Sequence, residues 1–257
     1  MTVIASTEAA AHVAPAVKDN NRYVKITPMA NRVRLAYTIY IGEIPGQQAR
    51  IEMDADRNGE LSDSEAAGYK ATLAEAVRNT LTLTVDGAEV PVTWDEIHIG
   101  LGTPETNAGA FAVDLVAWAC LGRGRAGSAH SVVFFDRYEV NRPGETELRV
   151  EESPDVKVER STFGADGKQS EMEFKWTGRG GPTATLGYYL DFTVQSTEPV
   201  ASDTRCPAIA TADQDQDNAE PPRRRWLVLG SVAALAVAIA ACGMWWIRRS
   251  GQSVSEP

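Results

Sequence analysis

Oxygen-bearing side chains recur at alternating positions in one acidic stretch, D-A-D-R-N-G-E-L-S-D-S-E. A hard cation such as Ca²⁺ takes about six to eight oxygen ligands, and a twelve-residue EF-hand loop supplies them at this spacing. Gly59 stands where such a loop needs a positive φ, and Leu61 is the apolar residue expected to anchor it. The pattern therefore predicts one Ca²⁺ site, with Glu60 acting through its backbone carbonyl, Ser62 directly or through water, and Glu65 through both carboxylate oxygens. The predicted ligands are Asp54, Asp56, Asn58, Glu60, Ser62 and Glu65.

The same stretch has a second, purely structural interpretation. Ser62 as N-cap and Glu65 three residues later would form a capping box for a following helix. That interpretation leaves Asp54, Asp56 and Asn58 unexplained, so ion binding is favoured. The sequence holds one such loop, whereas EF-hands that act as switches usually occur in pairs. We therefore expect a stabilising clip whose partner surface belongs to the rest of the domain.

Short strands are the elements that must position this loop. From Arg22 to about Ile41 the sequence is rich in alternating β-branched and aromatic residues. Apolar spacing predicts helices over Pro45–Met53 and from Glu65 to about Asn79. Further alternating runs with Asp-Gly and similar turn signals predict more strands. We expect a mainly β fold, a β-sandwich-like domain over residues 22–195, with a single EF-hand (helix-loop-helix) inserted at about 44–78.

The remaining regions differ from this domain in composition. Residues 1–21 are interpreted either as the remnant of a signal peptide or as a disordered N-terminus. Residues 196–225 are rich in Ser, Thr, Asp, Gln and Pro, which predicts a disordered acidic linker. Residues 226–247 carry no charge and can cross about 30 Å of hydrocarbon. They predict one C-terminal transmembrane helix in the lipid bilayer, followed by a short tail at 248–257.

Charge and cysteine content limit the function and the compartment. A net charge of -10 argues against a nucleic-acid partner, because phosphate binding needs a basic face. Three arginines precede the apolar segment and two follow it, so the positive-inside rule mildly favours a cytosolic domain, whereas a signal remnant would place it outside. Cys120 and Cys206 could pair if this part of the chain is extracytoplasmic, but Cys206 falls in the predicted linker, so the sequence leaves that pairing open.

Residue patterns for other chemistry are weak. The sequence shows no nucleophile elbow and no phosphate-binding glycine loop, so no enzyme is expected. His12, His98 and His130 lack the spacing of metal ligands. His12 would become an N-terminal Cu²⁺ or Ni²⁺ chelator if cleavage fell after Ala11. His98 alternates with isoleucines and is expected to face solvent from a strand.

Several segments between His12 and Phe135 carry a resemblance: H-V-A-P-A-V-K-D-N-N-R-Y, R-V-R-L-A-Y-T-I-Y-I-G-E-I-P, T-V-D-G-A-E-V-P-V and A-G-A-F-A-V-D-L. Together with the acidic loop they resemble bacterial extracytoplasmic domains at the N-termini of HupE/UreJ-like and nickel/cobalt-transporter-like membrane proteins. The resemblance implies a β-domain interrupted by a D-x-D-x-[DN]-G loop. The D-x-D-x-[DN]-G motif is matched here by Asp54, Asp56, Asn58 and Gly59.

The resemblance favours an extracytoplasmic domain on a single-pass membrane anchor. It does not transfer transport, because members of that family often continue into several transmembrane helices and one is predicted here. The expected function is a membrane-anchored calcium-binding structural or interaction domain, whose partner is an unknown protein or a transporter subunit. The alternative is an accessory or metal-sensing component of a transition-metal (nickel/cobalt) uptake system.

Overall fold

The computed structural model describes residues 17–121, 126–168 and 170–195, together with Cys206. Strands dominate this part of the chain, which confirms a mainly β fold. The strands are β1 (Asn20–Pro28), β2 (Arg32–Ile41), β3 (Leu81–Val85), β4 (Ala88–Val90), β5 (Trp94–Gly100), β6 (Phe111–Cys120), β7 (Ala129–Asp136), β8 (Pro143–Val150), β9 (Val156–Phe163), β10 (Glu173–Thr177) and β11 (Tyr188–Val194). The helices are α1 (Glu43–Met53), α2 (Asp63–Arg78) and α3 (Pro182–Thr185).

The strands form two sheets that share one apolar core. One has six strands in the order β10-β8-β1-β2-β6-β5, and the other has five in the order β4-β3-β7-β11-β9. Every second residue of β2 is buried, because successive side chains of a strand point to opposite faces. Buried residues of both sheets, among them Leu35, Phe134 and Leu190, belong to the same cluster. This architecture is consistent with the predicted β-sandwich.

A buried ion pair connects the two sheets. Arg22 of β1 lies 2.8 Å from the carboxylate of Asp136 at the end of β7, and both side chains are almost fully buried. The hydroxyl of Tyr37 also donates a hydrogen bond to Asp136, over 3.0 Å. Burial raises the pKa of Asp136, while the neighbouring Arg22 acts in the opposite direction. A buried charge is tolerated when it is paired and hydrogen-bonded, so these contacts hold β1 against β7.

Helices α1 and α2 follow one another between β2 and β3 and begin two residues before the predicted helix starts, Pro45 and Glu65. Helix α2 rests on the six-stranded sheet. The indole N–H of Trp94 in β5 donates to the carbonyl oxygen of Ala74 over 2.8 Å. The ring of Tyr69 meets the ring of Phe111 edge to face, with 5.6 Å between centroids. Helix α2, which begins within the acidic stretch, is therefore attached to the six-stranded sheet.

Several predictions fall at the margins of the described residues. Strand β1 begins at Asn20, two residues before the predicted start of the β-domain. Residues 1–16, the predicted transmembrane helix at 226–247 and the short tail after it lie outside the described residues. Among the described residues, no helix combines the length and apolar character needed to span a bilayer.

Cys206 is the one described residue of the stretch predicted as a linker. Its side chain is 5% exposed and forms a disulfide with Cys120 at the end of β6. The pairing that the sequence left open is therefore present in the structure. It ties the chain beyond β11 to the six-stranded sheet.

Candidate metal centre

The connection between α1 and α2 brings three predicted ligands together. Carboxylate oxygens of Asp54, Asp56 and Glu65 lie within 4.8 Å of one another. Asp54 directly follows α1, whose last residue Met53 is buried, and Glu65 lies in the first turn of α2. Because one helix ends and the next begins at these positions, the first and last predicted ligands meet across the connection.

Backbone N–H groups of the loop surround the first two carboxylates. Asp54 accepts hydrogen bonds from the N–H groups of Asn58, over 3.1 Å, and Gly59, over 3.0 Å. Asp56 accepts from the same Asn58 N–H over 3.1 Å. Gly59 has a φ of 89°, as the sequence predicted, and Arg57 also has a positive φ, 61°. The chain therefore curls around the acidic side chains.

Glu65 connects the two ends of the loop. One carboxylate oxygen accepts from the N–H of Ser62 over 2.9 Å and from its hydroxyl over 2.7 Å, and the other accepts from the N–H of Ala55 over 2.7 Å. These hydrogen bonds lower the pKa of Glu65 to about 2, and the bond from the Ser62 hydroxyl contributes most. The capping box expected from Ser62 and Glu65 is present. The capping carboxylate also belongs to the acidic cluster, so the two interpretations of the stretch do not exclude each other.

The far side of the loop pairs with the connection between β5 and β6, here called the 101–109 segment. The N–H of Leu61 donates to the carbonyl oxygen of Pro104 over 2.8 Å, and the N–H of Thr106 donates to that of Gly59 over 3.0 Å. Leu61 is buried in the core, as predicted. The partner surface that the sequence assigned to the β-domain is therefore this segment.

The same pairing orients the backbone of Glu60. Glu60 and Glu105 form an antiparallel bridge, and the hydrogen bonds beside it come from their neighbours. In such a pair the residues' own N–H and C=O groups point away from the partner strand. The Glu60 N–H accordingly bonds the Asn58 side-chain oxygen over 2.7 Å. The Glu60 carbonyl is directed to the same side, away from the 101–109 segment and towards the side on which the predicted ligand Asn58 lies.

Arg50 is a functional candidate that the sequence reasoning missed. Its side chain is fully buried, and the guanidinium donates to four backbone carbonyl oxygens of the 101–109 segment. These acceptors are Leu101 at 2.5 Å, Thr103 at 2.8 Å, Glu105 at 3.2 Å and Gly109 at 3.1 Å. Desolvation lowers the pKa of Arg50, with nearby Glu105 acting in the opposite direction.

Two sequence signals could have revealed this contact. Arg50 shares the buried face of α1 with Gly46 and Met53, so a charged residue occupies an otherwise apolar helix face. Gly46 is the second signal, because a Cβ added there would lie 2.6 Å from the carbonyl oxygen of Gly109. The helix backbone therefore approaches the 101–109 segment directly.

The donor set suits a hard cation. Carboxylate, amide, hydroxyl and carbonyl oxygens are the ligands that Ca²⁺ takes, and a bidentate carboxylate favours Ca²⁺ over the smaller Mg²⁺. The described histidines lie in different sheets, His98 exposed on β5 and His130 on β7 with its ring 2.8 Å from Asp86. His12 lies outside the described residues, so a nickel or copper site there stays a prediction.

Comparisons with known proteins assign no family. No protein-family model and no curated protein matches the chain. A solved structure from Legionella pneumophila, described as a "putative nutrient binding protein", is 9% identical and aligns over 70% of this chain and 68% of its own. Its TM-score is 0.17, so this likeness carries no argument about fold or function.

Proposed function

We propose that this chain is a membrane-anchored calcium-binding structural or interaction domain with a single EF-hand, located outside the cytoplasm. The observation that carries the proposal is the convergence of Asp54, Asp56 and Glu65 within 4.8 Å between two consecutive helices. The ligand spacing of the sequence and the orientation of the Glu60 backbone support it independently of that distance.

The bound ion would act as a clip. The loop lies between α1 and α2 and is also hydrogen-bonded to the 101–109 segment. An ion held by both ends of the loop would therefore tie two helices to the connection between β5 and β6. Because a ligand that binds only the folded state adds its binding free energy to folding, Ca²⁺ would stabilise the domain.

The Cys120–Cys206 disulfide supports the extracytoplasmic location. Disulfides form and persist in oxidising compartments and are rare in the cytosol. The membrane anchor rests on the uncharged sequence from 226 to 247. The carboxylates would then meet extracellular or periplasmic calcium, and modules in such places bind with Kd values of about 0.1–1 mM.

Calorimetry tests the proposal. The full chain is kept in detergent micelles and freed of divalent ions with EDTA, which is then removed. It should bind one Ca²⁺ when titrated to about 10 mM, which is ten times the highest Kd expected of such modules. At free Ca²⁺ near 100 times Kd, folding should gain about 2.7 kcal/mol. A domain of this size gains about 2–4 °C in Tm for each kcal/mol. The absence of both binding heat and a Tm shift at about 10 mM Ca²⁺ would overturn the proposal.

A further inference from the structure

Arg50 lies at the centre of a connected set of contacts that ends at the predicted ligands. We propose that Arg50 is a positioning residue for the calcium site: by holding the 101–109 segment in place, it fixes the loop and sets its affinity for Ca²⁺. The inference rests on the proposed function, because it concerns the affinity of that same site. Arg50 touches no predicted ligand side chain in its hydrogen bonds and acts through the backbone.

Arg50 first determines the conformation of the 101–109 segment. Leu101, Thr103, Glu105 and Gly109 turn their carbonyl oxygens towards the guanidinium of Arg50. A buried charge is costly unless its donors are satisfied, so the folded state favours the one segment conformation that satisfies them. The planar five-donor fork of arginine suits several acceptors at fixed directions, which a lysine ammonium cannot reproduce.

The 101–109 segment is in turn hydrogen-bonded to the acidic loop. Pro104 and Thr106 lie between the carbonyls that Arg50 holds, and they make the backbone hydrogen bonds to Leu61 and Gly59. The hydroxyl of Thr106 also donates to the Gly59 carbonyl, over 3.2 Å, which makes three hydrogen bonds between the segment and the loop. These bonds set the backbone on either side of Glu60. If the segment shifted, the predicted carbonyl ligand would lose its orientation.

Electrostatics alone predicts the opposite effect of removing Arg50. Its positive charge repels a nearby cation, so a charge-neutralising substitution would strengthen Ca²⁺ binding if electrostatic repulsion alone determined the affinity. Positioning predicts weaker binding. The sign of the change therefore distinguishes the two.

The experiment compares the full chain in micelles with three variants by Ca²⁺ calorimetry. Arg50→Met should weaken binding about 10–100-fold, as is usual for residues that orient metal ligands, and Arg50→Lys should recover part of the loss. Arg78→Met is the matched control, since Arg78 ends α2 and is exposed. It removes the same charge and should leave affinity within about twofold. Unchanged or tighter binding by Arg50→Met would overturn the inference while leaving the proposed function intact.

Amide hydrogen exchange separates positioning from general loss of stability. In EDTA, Arg50→Met should exchange faster at Leu61 and Thr106 while Val132, buried in β7, stays protected. Equal acceleration at all three would overturn the inference. If Arg50→Met does not fold, the wild type decides: Ca²⁺ should slow exchange at Thr106, which is no predicted ligand. Unchanged exchange there would overturn the inference, and a wild type that binds no Ca²⁺ would overturn it together with the proposed function.

Discussion

The backbone N–H of Leu61 donates a hydrogen bond to the carbonyl oxygen of Pro104 over 2.8 Å. Together with the bond from the Thr106 N–H to the Gly59 carbonyl, it joins the acidic loop to the connection between β5 and β6 in an isolated antiparallel bridge. Leu61 itself is buried in the core shared by both sheets. The geometry of the proposed site therefore depends on the β-domain as well as on the two helices that flank the loop.

Glu65→Gln should separate ion binding from helix capping. Glutamine is accepted at this position of a capping box, so the variant keeps a bond to Ser62 but loses the bidentate carboxylate. We expect Ca²⁺ affinity to fall about 100-fold or more, because ligand charge is a main determinant of affinity. In EDTA at neutral pH its Tm, measured by circular dichroism, should fall only slightly below that of the wild type, because the cap is kept while the bonds to a charged carboxylate on an exposed residue are lost.

Glu65→Ala is the comparison for that experiment. It removes both the ligand and the cap, so its ion-free Tm should fall below that of Glu65→Gln. Wild-type affinity in Glu65→Gln would remove Glu65 from the ligand set.

Acid should weaken the ion-free domain through Glu65. Hydrogen bonds from Ser62 and Ala55 lower its pKa from the ordinary value of 4.5 to about 2 in the folded chain. A carboxyl group with a lowered folded pKa contributes stability that is fully present above 4.5 and is lost as the pH falls towards 2. Urea unfolding in EDTA should therefore show a steeper loss in the wild type than in Glu65→Gln across that interval. Parallel curves for the two proteins would contradict this assignment.

Removing the disulfide should destabilise the domain. Cys120 and Cys206 are 86 residues apart, and cross-linking a long loop restricts the unfolded chain. The double variant Cys120→Ser, Cys206→Ser should lose about 2–5 kcal/mol of unfolding free energy. Cys242→Ser is the control, since Cys242 lies in the predicted transmembrane segment, and it should unfold like the wild type.

The same cysteine pair also tests the location of the domain. Cells broken in the presence of a thiol-blocking reagent should yield a chain in which Cys120 and Cys206 are unmodified, as read by mass spectrometry. Full alkylation of both would indicate a reducing compartment and contradict an extracytoplasmic domain.

Local features of this protein were predictable from the sequence. The positive φ at Gly59 and the capping box of Ser62 and Glu65 arise within a few residues, so residue type and spacing suffice to predict them. The strands were predictable for the same reason, because the alternation of residue types along β2 or β11 indicates which face of the strand is buried. Both helices start two residues before the predicted positions, and for α2 the reason is that the Ser62 cap, rather than the apolar pattern, decides where the helix begins.

Tertiary structure decided which distant residues meet. The parallel pairing of β1 with β8, the Cys120–Cys206 disulfide and the four carbonyls around Arg50 all join parts of the chain that no local pattern relates. Several arrangements could satisfy the same alternation, and only packing of both sheets on one core selects among them. The sequence by itself thus determined the ligands proposed for the ion, and the fold determined what holds them in place.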